Sequence, residues 1–380
     1  MRVALVSGGF PPRIGGVESY VYNLSRALAQ RGHEVTVFTY MFGDVSVTHR
    51  VDDRLRREGV RVQRVGTMPT GLQSHHINSH YTRFAPALAS LLRREDADII
   101  DTHSYPALHT DIAFKASRAK CAPCIIHVHG MYKIHRLHHL AAGQRELDEV
   151  EGVIVNNKVQ RSLLSSNGTP TDKIHVIPPG INYERFARAR RSNIRKTGKS
   201  ILFMGRVVEA KGLGLLVDAA PDVLKEHPDA EFRVVGIDHG YADAARSLAA
   251  RRGVLRHFNF LGGKKGDDVV DEYARCRLLA LPSRHEGFGM VVLESLASGR
   301  PAAITNFEGS HWFTSSGACL VSRRGDSKQL SDNLNRILED DEMTDEMSRS
   351  GQKFAEQFDW AQIAARHEKI YVKTLNPGLL

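Results

Sequence analysis

Two glutamates frame a glycine-rich turn in the last third of the chain. Glu286 and Glu294 lie in the run PSRHEGFGMVVLESLASGRP, from Pro282 to Pro301. Gly287 and Gly289 follow the first carboxylate, and the apolar run Met290–Leu296 surrounds the second. Leu278–Leu281 reads as a buried strand, Gly299 as a helix C-cap and Pro301 as the opening of the next strand. A strand, a glycine turn and a helix start make an anion site, because the first amides of a helix have no internal partner and point outward. A ligand's phosphates would sit on the amides of Phe288, Gly289, Met290 and Val291, bracketed by the two carboxylates. The ordinary reading of such a stretch is a plain turn and a solvated glutamate. Glu294 stands among Val291, Val292, Leu293 and Leu296, which is not an obviously wet face.

Two cations stand upstream, Arg206 and Lys211 in GRVVEAKG, at a strand end before a helix Leu213–Leu224. A guanidinium fork and a lysine point charge there suit a diphosphate and would neutralise a departing one. Loop cations are otherwise simply solvated. In the first half, Gly15-Gly16-Val17-Glu18 opens a helix and can hold an anion or let a substrate approach the backbone. The strand IIHVH, Ile125–His129, puts His127 and His129 on one face. His129 falls at the C-terminal end, where ligands bind in open α/β sheets. His135, His138 and His139 follow in a polar stretch that could touch an acceptor, at a spacing that matches no zinc pattern.

The elements that must carry these residues alternate. Arg2–Ser7, a helix Val17–Gln30 and a strand Val35–Thr39 form a βαβ start. It lacks G-x-G-x-x-G, so a dinucleotide oxidoreductase is not indicated. Strands follow at Gly59–Gly66, at Ile99–His103 with Asp98 and Asp101 at its ends, and at Gly152–Asn156 and Lys173–Pro178, with a helix Tyr81–Arg94. Arg185–Lys199 is polar and basic and reads as a linker. Beyond it come strands Ser200–Gly205, Glu231–Gly236, Phe258–Gly262, Ala302–Asn306 and Ala318–Val321. Gly236 and Gly262 end strands where a nucleoside and its base would lie. The fold class is α/β, two Rossmann-like domains.

Composition agrees. A chain of 380 residues, 42% hydrophobic and 25% charged, fits two globular domains. No apolar run reaches the length of a membrane span, and MRVALVSGGFPP reads as a first core strand instead of a leader. Of four cysteines, Cys121 and Cys124 form a lone C-x-x-C, while Cys276 and Cys319 stand apart, so reduced thiols in a cytoplasmic protein are expected. The net charge of +9 admits nucleic acid, an anionic membrane surface or phosphorylated small molecules as partners. Scattered aromatics at 7% and no recognition motif argue against nucleic acid. Peripheral contact with the inner membrane surface stays open.

Glu286 and Glu294, with EGFGMVVLESLASGRP around them, resemble the E-x7-E signature of family 4 retaining glycosyltransferases. GG-x-E, His-Gly, Pro-Gly, Arg-x4-Lys-Gly and E-x7-E occur in the family's order along nearly the whole chain. The resemblance implies the GT-B fold, with two Rossmann-like domains facing across a cleft. Residues 1–182 would bind the acceptor and 183–358 the nucleotide sugar, while 359–380 would form a helix packing back on the first domain. It implies hexosyl transfer from a nucleoside diphosphate sugar to an acceptor hydroxyl, with retention, neither metal nor cofactor, and His129, Arg206, Lys211 and Glu286 at the reaction. Gly16, Gly236, Gly262, Phe288, Gly289, Met290 and Val291 would line the donor, with Glu294 on the ribose. Gly15, Glu18 and His135 would face the acceptor. Glu308-Gly309 and Trp312 depart from the family's usual pattern of two glycines and a later glutamate. A UDP-sugar is the first expectation and GDP-mannose the second; the acceptor is a glycan, a lipid or a small molecule. A nucleotide-sugar 2-epimerase, a sugar phosphorylase or a non-catalytic nucleotide-sugar-binding protein on the same fold remain alternatives.

Overall fold

The computed structural model describes residues 1–13, 15–42, 44–68, 83–130, 146–191, 198–376 and 378. The chain forms two compact units, Met1–Gly180 with Trp360–Leu380, and Ile181–Asp359.

Unit 1 is built on a parallel sheet in the order β3-β2-β1-β4-β5-β6-β7. Its strands are β1 (Arg2–Ser7), β2 (Glu34–Tyr40), β3 (Val60–Val65), β4 (Ile99–His103), β5 (Cys124–Val128), β6 (Gly152–Val155) and β7 (Ile174–Val176). The order reverses between β1 and β4, which pair Val3 with Ile99 through Ser7 with His103. That reversal opens a crevice at the C-terminal strand ends. Central strands are apolar almost throughout because helices cover both faces. Asp101 departs from this, as do the buried His103 and His127. The sequence placed Asp101 at a strand end, but it lies within β4 and is fully buried. The last helix, Trp360–Leu375, belongs to this unit and packs Ile363, Ala364, Ile370 and Tyr371 into the same core as Val3, Leu24 and Leu28. A Cβ on Gly180 would come within 2.6 Å of the Trp360 ring, so the chain leaves the unit on a bare glycine.

Unit 2 repeats the plan with six strands in the order β10-β9-β8-β11-β12-β13. These are β8 (Ser200–Met204), β9 (Glu231–Val235), β10 (Phe258–Gly262), β11 (Leu278–Leu281), β12 (Ala302–Thr305) and β13 (Cys319–Ser322). Here the reversal falls between β8 and β11. The expected linker is a correction. Its first part is helical, Tyr183–Ala187 then Arg188–Arg191, and Phe186, Ala187 and Ala189 are buried in the core of unit 2. Among the described residues, the helices Val45–Arg57, Leu108–Lys120 and Lys158–Ser166 escaped the sequence pattern. The first buries only Thr48 and Leu55, too little for its periodicity to show.

Candidate functional site

The reversal in unit 2 collects the expected donor residues. Arg206 and Lys211 sit in the loop after β8, and Glu286 in the loop after β11. The two loops are joined by backbone, since Arg284 N–H donates to the Ala210 carbonyl at 2.9 Å and the Arg284 guanidinium reaches Glu209 at 2.8 Å. Gly212 has φ 74° and lies flat against the Pro282 carbonyl, where any Cβ would collide. Lys211 Nζ is thereby brought onto Glu286 Oε2, and both side chains are largely shielded. Arg206 is exposed and makes no side-chain hydrogen bond among the described residues.

Gly289, in the left-handed region at φ 98°, caps the helix Met290–Ala297 and brings no side chain to its first amides. Phe288 is buried, its ring against Phe313 at 5.4 Å and Phe358 at 6.0 Å, so its contribution to a ligand is backbone. Met290 and Val291 are half-buried at the helix start. Gly236 and Gly262 meet at the neighbouring strand ends, the amide of Gly236 donating to the Gly262 carbonyl at 2.9 Å. A side chain at Gly236 would strike the Gly205 carbonyl, so this edge stays backbone-lined. Glu294 is half-buried, and its Oε2 lies 2.9 Å from the Tyr273 hydroxyl, which also lies 3.1 Å from the Val291 carbonyl. Burial pushes the Glu294 carboxyl up to about 7, against the pull of Tyr273 and Arg185.

Glu308 was set aside as a departure from pattern, yet it braces this site. It accepts the backbone amide of Glu286 at 3.2 Å and lies within 3.0 Å of His285 Nδ1 and 3.2 Å of the Arg324 guanidinium. The next residue holds the other side of the same residue, Gly309 N–H donating to the Glu286 carbonyl at 3.2 Å, a contact that no spacing in the sequence announces.

Unit 1 gathers a different set at its own strand ends. His127 and His129 stack with ring centroids 3.9 Å apart and planes 15° apart. His103, at the end of β4, places its Nδ1 2.9 Å from His129 Nε2. His103 and His127 are fully buried, while His129 is partly exposed at the strand end. The Tyr20 ring stands edge-on to both His127 and His129, and its hydroxyl lies 2.8 Å from His367 Nε2. Burial pushes all three histidines down, His103 to about 4, so they are neutral at pH 7. Their nitrogens lie within 4.8 Å of one another, close enough for a shared metal to be considered. Parallel stacked rings, however, point their in-plane lone pairs side by side instead of toward one centre, and the His103–His129 approach is of hydrogen-bond length.

Gly15 and Gly16 begin the helix Gly16–Gln30, and among the described residues nothing lies within 4 Å of where a Cβ on Gly16 would point. Glu18 is buried, folded back against Gly9 and Gly15 and paired with Arg13 at 3.1 Å. Its carboxylate therefore shapes the glycine loop. His135 lies outside the described residues, as do His138 and His139.

Comparison with known proteins matches both halves. The model for Glycosyltransferase Family 4 covers residues 14–185, and that for Glycosyl transferases group 1 covers 184–354. The D-inositol 3-phosphate glycosyltransferase of Corynebacterium aurimucosum is 26% identical over 99% of this chain and 97% of its own. Among solved structures, Anabaena Alr3699/HepE in complex with UDP aligns with a TM-score of 0.78 at 19% identity, over 98% of this chain and 100% of that one. The same protein in complex with UDP-glucose aligns with a TM-score of 0.71 at 20% identity, over 98% and 99%. The two matches adjoin across the paired Rossmann-like sheets, and the chain belongs to family 4 of the glycosyltransferases, with the GT-B fold.

Proposed function

We propose that this glycosyltransferase moves a hexose from a UDP-sugar to an acceptor hydroxyl with retention of configuration. The observation that carries the reading is the reversal in unit 2, where Lys211, Glu286 and an uncapped helix start meet at adjoining loops. A diphosphate placed on the amides of Met290 and Val291 would find Lys211 and Arg206 as counter-charges. Donors placed before charge develops in the transition state lower the barrier most, because nothing must reorganise. Without nucleotide, Glu286 neutralises Lys211. With donor bound, Lys211 would turn to phosphate and Glu286 to the sugar hydroxyls, while Glu294 would hold the ribose. His129 in unit 1 would contact the sugar.

In the transfer, the acceptor oxygen bonds to the anomeric carbon as the bond to the phosphate oxygen breaks. The released oxygen of the diphosphate takes the acceptor proton. These cations and amides would do what a metal does elsewhere, so we propose that no metal is needed. HepE was solved in complex with UDP and with UDP-glucose, which supports UDP over GDP. The inositol phosphate in the relatives' names makes a phosphorylated cyclitol the first acceptor to try.

The test is a thermal-shift series with UDP-, GDP- and ADP-sugars, then a transfer assay with EDTA using D-inositol 3-phosphate. UDP-sugars should raise Tm, and the product should keep the donor's anomeric configuration. Absence of binding by every nucleotide sugar, or an inverted product, overturns the reading.

A further inference from the structure

The function above uses one histidine of unit 1, but β4 carries a buried charge that no role yet explains. Asp101 is fully buried, and burial works against its charge, yet the facing His103 and His367 outweigh that cost and hold the carboxyl low, at about 2. Two donors converge on one of its oxygens. The Tyr371 hydroxyl donates to Asp101 Oδ2 at 2.5 Å, and His367 Nδ1 lies 3.5 Å from the same oxygen. Both belong to the C-terminal helix. Among the described residues the other oxygen, Oδ1, has no hydrogen-bond partner, nor has His103 Nε2, and the two face each other at 3.7 Å.

A carboxylate can only accept, so it fixes the direction of every proton around it. His103 must carry its proton on Nε2, toward Asp101, because an acceptor lone pair there would face a negative charge. His103 Nδ1 is then an acceptor, and at 2.9 Å it accepts a hydrogen bond from His129 Nε2–H. That leaves His129 Nδ1 unprotonated. The same reasoning makes His367 protonated on Nδ1 and accepting at Nε2 from the Tyr20 hydroxyl. The neighbouring ring is consistent. Asn156 donates its amide to the His129 carbonyl at 3.0 Å, so its oxygen faces His127 Nε2 at 3.1 Å and His127 bears its proton there.

We propose that Asp101 and His103 are positioning residues that lock His129 in the Nε2–H tautomer, so that its Nδ1 presents a lone pair to a ligand hydroxyl. His129 then accepts a hydrogen bond and cannot donate one from that nitrogen. It would select a sugar hydroxyl over an ether or a fluorine at the position it meets. The tautomer follows from the described geometry. Its consequence for sugar selection rests on the role given to His129 above.

Histidine-labelled full-length protein separates the two. In a nitrogen–proton correlation spectrum at pH 7, the His129 signals are those lost in His129→Gln. They should show a protonated Nε2 and an unprotonated Nδ1. In Asp101→Asn, the amide nitrogen faces His103, which must then accept at Nε2, and the His129 pattern should reverse. Transfer turnover in that variant should fall about tenfold, the size of one misdirected hydrogen bond, while the UDP-induced rise in Tm stays unchanged. A wild-type His129 protonated on Nδ1 overturns the proposal, and needs no variant to fold. So does an unaltered pattern in folded Asp101→Asn, or the joint shift of His103, His127 and His129 signals with one equivalent of Zn2+. A reversed pattern with undiminished turnover keeps the tautomer lock and removes His129 from the sugar.

Discussion

The two sheets reverse their strand order in the same way and fill the reversal with opposite electrostatics. In unit 2, formal charges lie in loops. Arg206 is exposed, and the Lys211–Glu286 pair is part-shielded and mutually neutralised. In unit 1, one formal charge, Asp101, is sunk inside β4 and surrounded by histidine rings and a tyrosine hydroxyl. Loop charges can exchange partners when a phosphate arrives, because little desolvation has been committed to them. A buried carboxylate cannot, since its partners are its solvent. The first arrangement suits binding of a charged ligand, and the second suits orientation of a neutral one.

The largest effect should come from acid. His103 and His109 both titrate at about 4, pushed down by burial from an unfolded value near 6.5. Between those values the unfolded chain binds more protons than the folded one. Stability is therefore complete above pH 6.5 and falls as pH drops toward 4, by on the order of 3 kcal/mol for each ring. His127 and His129 add to the same slope. Hydrogen exchange followed from pH 7 to 4.5 should show β4 and β5 losing protection while β8 and β11 keep theirs. Equal loss in both sheets would erase the contrast.

Next is Lys211→Ala. It should lower transfer by about a hundred- to a thousandfold, the cost of one placed donor on developing charge, with an unchanged circular dichroism spectrum. Turnover near the wild-type rate would show that the ion pair at the unit 2 reversal is scaffolding only.

This asymmetry also explains what the sequence could show. Lys211 and Glu286 lie in short loops directly after apolar strands, so local pattern located them. The alternation of strands and helices was legible for the same reason, and so was the anion-ready start of Met290–Ala297. The Asp101 network was not. Its members fall in three distant stretches of the chain, Tyr20, then Asp101 and His103, then His367 and Tyr371, and a lone aspartate in IIDTH looks like a strand boundary. Only the docking of the last helix beside β4 makes them neighbours. The supposed linker failed on composition. Arginines at 185, 188, 190 and 191 outweighed the buried positions Tyr183, Phe186, Ala187 and Ala189 that make it part of the core.

Unit 2 should answer pH with the reverse sign. Glu294 rises to about 7 on burial, from 4.5. Between these values the folded state binds the extra proton, so stability falls as pH rises from 4.5 to 7 and is flat beyond, by on the order of 3 kcal/mol in total. Glu294→Gln should flatten the slope of unit 2 alone in the same exchange experiment. A slope that survives the substitution would place the titrating group elsewhere.

The smallest effect sharpens the comparison most, because it touches the buried charge without reshaping its surroundings. Tyr371→Phe keeps the ring in the core shared with Leu24 and Leu28 and removes only the hydroxyl that donates to Asp101 at 2.5 Å. No cavity of consequence opens, so the change reads the hydrogen bond itself. A bond to a buried charge should be worth about 1–2 kcal/mol here, because His367 at 3.5 Å remains as a partial substitute. Unit 1 should melt a few degrees lower, with unit 2 unmoved. If Tyr371→Phe melts with the wild type, Asp101 does not depend on that donor, and unit 1 holds no charge whose partners act as its solvent.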